Sequence, residues 1–497
     1  MNDSPAQIQF ALISHTNNGK TTLARTLVGI DVGEVRDAAH VTVFAESHML
    51  LASPEGDTLQ LWDTPGFGDS VRLLKRLGMS GNPIGWFLRE VLDRYRDRPF
   101  WLSQQALRTA RDAADVVLYL VNSSENPRDA GYLPAEMKIL DWLGKPVVVL
   151  LNQMGPPRPA MDEQAEQTRW QHHLQQYPVV CKVLALDAFA RCWVHERVFY
   201  EAVASLIIEP KQAAYMRLFA TWEARNVSRF QESMRFMAQQ LAAAAHDSET
   251  IESEEKSLLK SALKVVGMGK GNTQKRQEKA MNILVGRLSI NIGQTTAALL
   301  ALHKLDPSDA AKINARVRQN FVVRAPIDKA QAGLLGAMIS GAATGLSADL
   351  MAGGLTLGAG ALLGGVVGAL TFAGVAWGFN STMDRKQPTM QFSDEFLRAM
   401  FMASVLRYLA VAHFGRGRGN FVEGEAPAFW QQEVERAVAL NDGELAGLWQ
   451  ALRTESDRNK AIGRSEVIIA HIVSHTLRQL YPGAVITHFK DTHDQDT

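Results

Sequence analysis

A lysine and a threonine side by side at the mouth of a helix can hold phosphate together with its counter-ion. Residues 14–22 read Ser14-His15-Thr16-Asn17-Asn18-Gly19-Lys20-Thr21-Thr22. From Ser14 to Thr21 they meet the pattern G-x-x-x-x-G-K-[ST] with one departure, Ser14 in place of the first glycine. Serine serves there if its backbone keeps a negative φ. Gly19 remains where the backbone must pass close to phosphates. Successive backbone N–H groups and the start of the helix would face the anion. Lys20 would give a point charge to the β- and γ-phosphates, and the Thr21 hydroxyl would ligate Mg²⁺. The plainer alternative is a strand, loop and helix with an exposed lysine.

The flanking sequence supplies the elements such a loop needs. Ile8-Gln9-Phe10-Ala11-Leu12-Ile13 reads as a buried strand of a parallel sheet. Downstream, Leu23 and Leu27 stand four apart, as on a helix packed against that sheet. A second strand, Thr58 to Trp62, leads into Asp63-Thr64-Pro65-Gly66. There Asp63 can hold Mg²⁺ through water and the amide of Gly66 can sense the γ-phosphate. A third strand, Val116 to Val121, and a fourth, Val147 to Leu151 ending in Asn152, follow at crossover spacing. A phosphate loop and D-T-P-G in this order on successive strands form a far stronger signal together than either does alone.

With Ser14–Thr21, Asp63–Gly66 and Asn152 in place, the chain resembles the translation-factor-related class of P-loop GTPases, nearest the Era/TrmE-like branch. The whole layout also resembles a bacterial GTPase family with a long C-terminal domain of unknown function. The resemblance implies a Ras-like α/β fold, a mostly parallel sheet with helices on both faces. It also implies binding of GTP and GDP with Mg²⁺, hydrolysis of GTP, and two switch segments. Switch I falls in Gly33–Val43, where Thr42 is the residue expected to close on Mg²⁺ and the γ-phosphate. Lys20 and Thr42 are thus the catalytic candidates, and Thr21, Thr42 and Asp63 the Mg²⁺ candidates.

Three departures from the family pattern stand out. The family's N-K-x-D reads Asn152-Gln153-Met154-Gly155 here, so the carboxylate that accepts from guanine is absent. The base-side loop has only a weak match, Leu186-Asp187-Ala188, in which the Ala188 amide can meet the base and Asp187 can substitute as the acid. Phe67 stands where Ras-like enzymes carry a water-orienting glutamine. In the Era/TrmE-like branch an asparagine at the position of Asn17 is associated with K⁺ beside the phosphates. Asn17 is therefore a K⁺ candidate or, alternatively, a loop residue chosen because asparagine suits turns. The nucleotide-contacting set is Ser14, Asn17, Asn18, Gly19, Lys20, Thr21, Thr22, Asp63, Gly66, Asn152, Asp187 and Ala188.

Composition bounds the rest. A chain of 497 residues is expected to form two to four domains. Its 52 basic and 52 acidic residues give no clear nucleic-acid signal. Two cysteines, Cys181 and Cys192, fit a reducing cytosol and exclude a disulfide framework. The N-terminus runs directly into the first strand, with no signal peptide expected. The pattern divides the chain into a G domain (1–210), a helical domain (211–330), a glycine-rich apolar hairpin (331–380) and a C-terminal helical region (381–497).

From Ala214 to Leu241, the spacing of Phe219, Trp222, Phe230, Met234, Met237 and Leu241 predicts one long amphipathic helix. Residues 332–379 hold 13 of the 38 glycines and a single charge, Asp349. Glycines four apart let helices approach closely, as in membrane pairs. The first arm, Ala332–Ala348, would reach ~26 Å against a bilayer core of ~30 Å, and the second, Leu350–Phe379, is long enough to cross. Basic residues flank both ends. The expectation is a GTP-hydrolysing switch in the cytoplasm, associated with or inserted in the inner membrane. The rival readings are a soluble buried hairpin in place of the membrane segment, and a degenerate nucleotide-binding scaffold or membrane-active effector with little turnover. A ribosome-associated GTPase is a further alternative, by family analogy.

Overall fold

The computed structural model describes residues 5–28, 46–64, 66–67, 69–78, 98–155, 157–188, 192–250, 270–305, 377–380, 389–413 and 428–482. Thr42 and the rest of switch I lie outside the described residues, as do residues 332–376 of the expected hairpin. The chain divides into two compact units. The first comprises residues 1–228, 412–425 and 480–492, and the second 229–411, 426–479 and 493–497. The border falls inside a helix, at Ser228, where the sequence pattern had placed it at 210.

In the first unit a six-stranded sheet has the order β2-β3-β1-β4-β5-β6. The strands are β1 (Gln7–Ser14), β2 (Glu46–Ala52), β3 (Thr58–Asp63), β4 (Val116–Asn122), β5 (Val147–Asn152) and β6 (Val180–Ala185). All neighbours are parallel except β2, which runs antiparallel to β3 at the edge. The chain leaves β1 for β3 on one side and returns to β4 on the other. That reversal at β1 opens a crevice at the carboxyl ends of the strands.

Six helices follow in chain order, α1 (Lys20–Val28), α2 (Ser70–Gly78), α3 (Arg98–Ala113), α4 (Leu133–Leu143), α5 (Ala160–Leu174) and α6 (Trp193–Ala204). The period of two in β1 assigns the faces. Ile8, Phe10 and Leu12 pack with Leu23 of α1, Phe199 and Val203 of α6, and Tyr215 and Trp222. Ala11 and Ile13 pack on the other face with Phe100 and Leu107 of α3, Leu140 of α4 and Trp170 of α5. Each such side chain contributes roughly 1.5–3 kcal/mol by leaving water, so β1 is clamped firmly on both faces. Phe100, one of the aromatics between Asp69 and Ala110, thus serves as core packing.

The helix expected over Ala214–Leu241 is α7 (Gln212–His246), and Phe230, Met234, Met237 and Leu241 are buried. In the second unit follow α8 (Lys270–Leu302), α9 (Asp394–Ala412), α10 (Ala428–Leu440), α11 (Asp442–Thr454) and α12 (Arg458–Leu480). The region is helical but not purely so. Strands β7 (Ser248–Thr250), β8 (Trp377–Asn380) and β9 (Thr389–Phe392) form an antiparallel sheet in the order β7-β9-β8. The second arm therefore does not stay helical to Phe379, because Trp377–Asn380 pair with Thr389–Phe392. Arg287 of α8 braces this sheet through Asp247 at 2.7 Å and Glu249 at 2.8 Å. Among the described residues, one stretch, Asn282–Leu302, is long and apolar enough to cross a membrane by length and composition.

Candidate functional site

The crevice at the end of β1 gathers the phosphate-loop residues. β1 stops at Ser14 and α1 begins at Lys20, with the Leu23 N–H already donating to the Gly19 carbonyl at 3.0 Å. Asn17 and Gly19 hold left-handed backbones, φ 67° and 82°. Glycine takes that conformation freely, and asparagine is among the few L-residues that visit it. Asn17 is exposed.

Lys20 is 8 % exposed and donates to the Ser14 hydroxyl at 3.0 Å. Burial lowers its pKa, while Asp63 and, less strongly, Glu136 oppose that. The ammonium is thus a desolvated cation between two carboxylates, and a phosphate would strengthen its charged form. The Thr21 hydroxyl donates to Asp63 Oδ2 at 2.8 Å. A hydroxyl and a carboxylate so close form a hard-oxygen pair of the kind that would suit Mg²⁺.

The segment after Asp63 lies against the loop. Thr64 donates to the Leu12 carbonyl at 2.7 Å. The Phe67 N–H donates to the Ser14 carbonyl at 3.0 Å, and the Thr16 hydroxyl to the Phe67 carbonyl at 3.1 Å. A β-carbon on Gly66 would come within 2.9 Å of Lys20 Nζ and 3.2 Å of Thr16 Cα, so a side chain there would push the lysine tip aside and crowd the loop backbone. The Phe67 ring is fully buried among Leu73, Phe100 and their neighbours. It points into the core, away from the phosphate crevice.

The base end is assembled from three loops. Asn152, fully buried, donates from Nδ2 to the Asn18 carbonyl at 2.8 Å and accepts the Ala188 N–H at 2.9 Å. The Ala188 amide, a sequence candidate for meeting the base, is engaged by Asn152 in this conformation. Asn18 in turn donates to the Leu120 carbonyl at 3.2 Å. Thr26 donates to both the Thr22 and Ala188 carbonyls, tying α1 to the same loop. Gln153, where the family pattern has lysine, has φ 58° and reaches the Asn17 carbonyl at 3.2 Å. Gly155 has φ 81°, and the Asp187 carboxylate accepts the Met154 N–H at 2.6 Å.

Sequence reasoning missed one cluster beside the phosphate loop. Glu136 of α4 is fully buried and accepts from His15 Nδ1 at 2.7 Å, from the Ser70 hydroxyl and from the Tyr119 hydroxyl. His15 stacks on Tyr132, with ring centroids 4.2 Å apart. A signal was available, because Glu136 shares the apolar stripe of Leu133, Met137 and Leu140, where a lone acid is costly.

Residues 9–153 match the family model described as 50S ribosome-binding GTPase. With the loop, D-T-P-G and sheet order above, this part of the chain is a GTP-binding P-loop GTPase domain of Ras-like fold. A second model, a domain of unknown function termed DUF3482, matches residues 181–467, more than half of the chain. The chain belongs to the DUF3482 family. This family member's similar solved structures include Era of Aquifex aeolicus bound to GDP and aluminium fluoride, at 18 % identity and a TM-score of 0.28. The match covers 36 % of this chain and 51 % of that one. Era in complex with MgGDPNP and a fragment of 16S ribosomal RNA is 17 % identical, with a TM-score of 0.29 and coverage of 37 % and 51 %. A GTP-binding protein of Sulfolobus solfataricus in complex with GDP is 15 % identical, with a TM-score of 0.24 and coverage of 40 % and 52 %. The chain thus spans about half the length of these structures. No curated protein matches it.

Proposed function

We propose that the protein is a GTP-hydrolysing switch whose nucleotide state governs its helical region at the cytoplasmic face of the inner membrane. One observation carries the catalytic part: Lys20, Thr21 and Asp63 converge at the switch point of the sheet, within a domain matched to a GTPase family. Thr21 and Asp63 would hold Mg²⁺, which neutralises charge on the phosphates. Lys20 would leave Ser14 to meet the β- and γ-phosphates, and backbone amides of the loop would bind the remaining oxygens. Water would attack the γ-phosphate in line, with positioning and charge doing most of the catalysis. Thr42 would close over the site. Membrane association would run through residues 332–376, whose glycine spacing and basic flanks support it.

Phe67 buried in the core supports a second reading, a nucleotide-binding scaffold or membrane-active effector that turns over slowly without a partner or cation. K⁺ at Asn17 would supply the missing charge in the first reading. The name of the family matched by residues 9–153 supports testing ribosome co-sedimentation. The deciding experiment is titration with fluorescent GDP and GTP, followed by phosphate release, on the wild type and Lys20→Ala. Tight binding lost in the variant is expected. Equal affinity in the two proteins would remove the phosphate-loop assignment.

A further inference from the structure

The buried carboxylate of Glu136 joins three parts of the G domain. His15 lies in the phosphate loop, Ser70 is the first residue of α2, and Tyr119 is in β4, the strand beside β1. Glu136 Oε1 accepts from both His15 and Ser70, and Oε2 accepts from Tyr119. His15 is further fixed by stacking on Tyr132, whose hydroxyl donates to Glu125 at 2.9 Å. Of Glu136 and its three partners, only His15 has sizeable exposure, 29 % at the side chain.

Phe67 is bonded to Ser14 and Thr16, and Gly66 sits where even a methyl group would press on Lys20 Nζ and Thr16 Cα. A γ-phosphate arriving at Lys20 would lie beside Gly66, so a change of nucleotide bears directly on this segment. Ser70 lies four residues on, anchored at its hydroxyl. We propose that Glu136 is a positioning residue that fixes the start of α2 against the phosphate loop, and that the nucleotide-dependent switching expected of the segment after D-T-P-G requires this bridge. This deepens the GTPase reading and rests on it.

The test compares hydrogen exchange of residues 70–78 in the full-length protein with GDP and with a non-hydrolysable GTP analogue, after fluorescent-nucleotide titration. Wild type should show a nucleotide-dependent difference. Ser70→Ala should lose that difference and keep GDP affinity within about threefold, and Glu136→Gln should lose it as well. Their kcat for GTP should fall about tenfold with little change in KM, the scale of one buried hydrogen bond to a charge. Ser70→Thr retains the hydroxyl and should restore the difference. A difference that survives in Ser70→Ala overturns the proposal, as does a wild type that binds both nucleotides with no difference. If Glu136→Gln does not fold, Ser70→Ala decides alone. A wild type that binds no nucleotide overturns the GTPase reading first, and this inference with it.

Discussion

Gly19→Ala should be far more damaging than the same change at Gly155, although both glycines have left-handed backbones, at 82° and 81°. Alanine in that region costs about 1–2 kcal/mol at either site. The surroundings then separate them. At Gly19 the new β-carbon would lie 2.6 Å from Asn152 Nδ2, while at Gly155 it would meet nothing within 4 Å. Asn152 cannot yield cheaply, since it is fully buried and bonded to the Asn18 carbonyl and the Ala188 N–H. Stranding one of those groups adds ~1–3 kcal/mol. The free loop relaxes away from this strain, and binding must then restore it, so the cost appears as lost affinity. Gly19→Ala should weaken GDP binding by about 100-fold, or ~2.7 kcal/mol, and Gly155→Ala by about tenfold or less. Fluorescent-GDP titration of both variants measures the ratio. Equal losses would refute the reasoning, because they would mean that the backbone penalty alone sets affinity and that the contact with Asn152 is immaterial.

Four further outcomes are expected. If Asn17 holds K⁺, GTP turnover should be faster in KCl than in NaCl at equal ionic strength, and Asn17→Ala should erase the difference; equal rates would leave Asn17 a turn residue. Asp187→Ala should cut the preference for GTP over ATP by about tenfold or more, the scale of a lost base contact, and unchanged competition binding would exclude Asp187 as the base reader. Arg217 holds the buried Asp57 carboxyl down at about 2, below its ordinary 3.8, so the pair stabilises the fold above about pH 4 and loses that contribution as pH falls toward 2. The shift corresponds to ~2 kcal/mol at most and about 1 kcal/mol after screening at the part-exposed Arg217; Arg217→Gln should flatten acid unfolding by that amount, read by circular dichroism. Removing residues 332–376, which spares β8, should release a carbonate-resistant membrane protein into the soluble fraction with nucleotide binding intact; an intact chain that is already soluble and monodisperse without detergent would exclude the membrane role.

How legible the site was depended on how it is built. The phosphate end is contiguous in sequence and made largely of backbone, so Gly19, Lys20 and Thr21 announced it, and Asp63 followed from the end of the next strand. β1, β3, β4 and β5 were legible because buried strands read as apolar runs. β2 was not, because Glu46–Ala52 is an edge strand whose pairing with β3 carries a register shift at Met49/Leu51. The strand β8 was hidden for a different reason. Trp377–Asn380 ends a glycine-rich apolar stretch, and its partner Thr389–Phe392 settles its state, which no local pattern reports. Glu136 was passed over because one acid in an apolar stripe says only that a partner must exist. Its partners came from three separate elements.

The base end shows where a motif comparison misleads about cause. Read as letters, Asn152-Gln153-Met154-Gly155 is the family pattern with its carboxylate deleted. The loop's own backbone adds what the letters leave out. Gln153 and Gly155 both take positive φ, and Gln153 turns its amide onto the Asn17 carbonyl, over the phosphate loop. An aspartate at 155 would have to take the left-handed backbone that glycine holds there, φ 81°, a conformation aspartate adopts less freely than glycine. Asp187, 6 % exposed, reaches this loop, its carboxylate accepting the Met154 N–H. Its position follows from β6 and from the Asn152–Ala188 bond, which fixes the next residue in the chain. Guanine recognition, if it depends on a carboxylate here, has to be supplied across the loops from the β6 side. The selectivity of the site is then set by how firmly Asn152 joins those loops, which is the same contact that makes Gly19 irreplaceable.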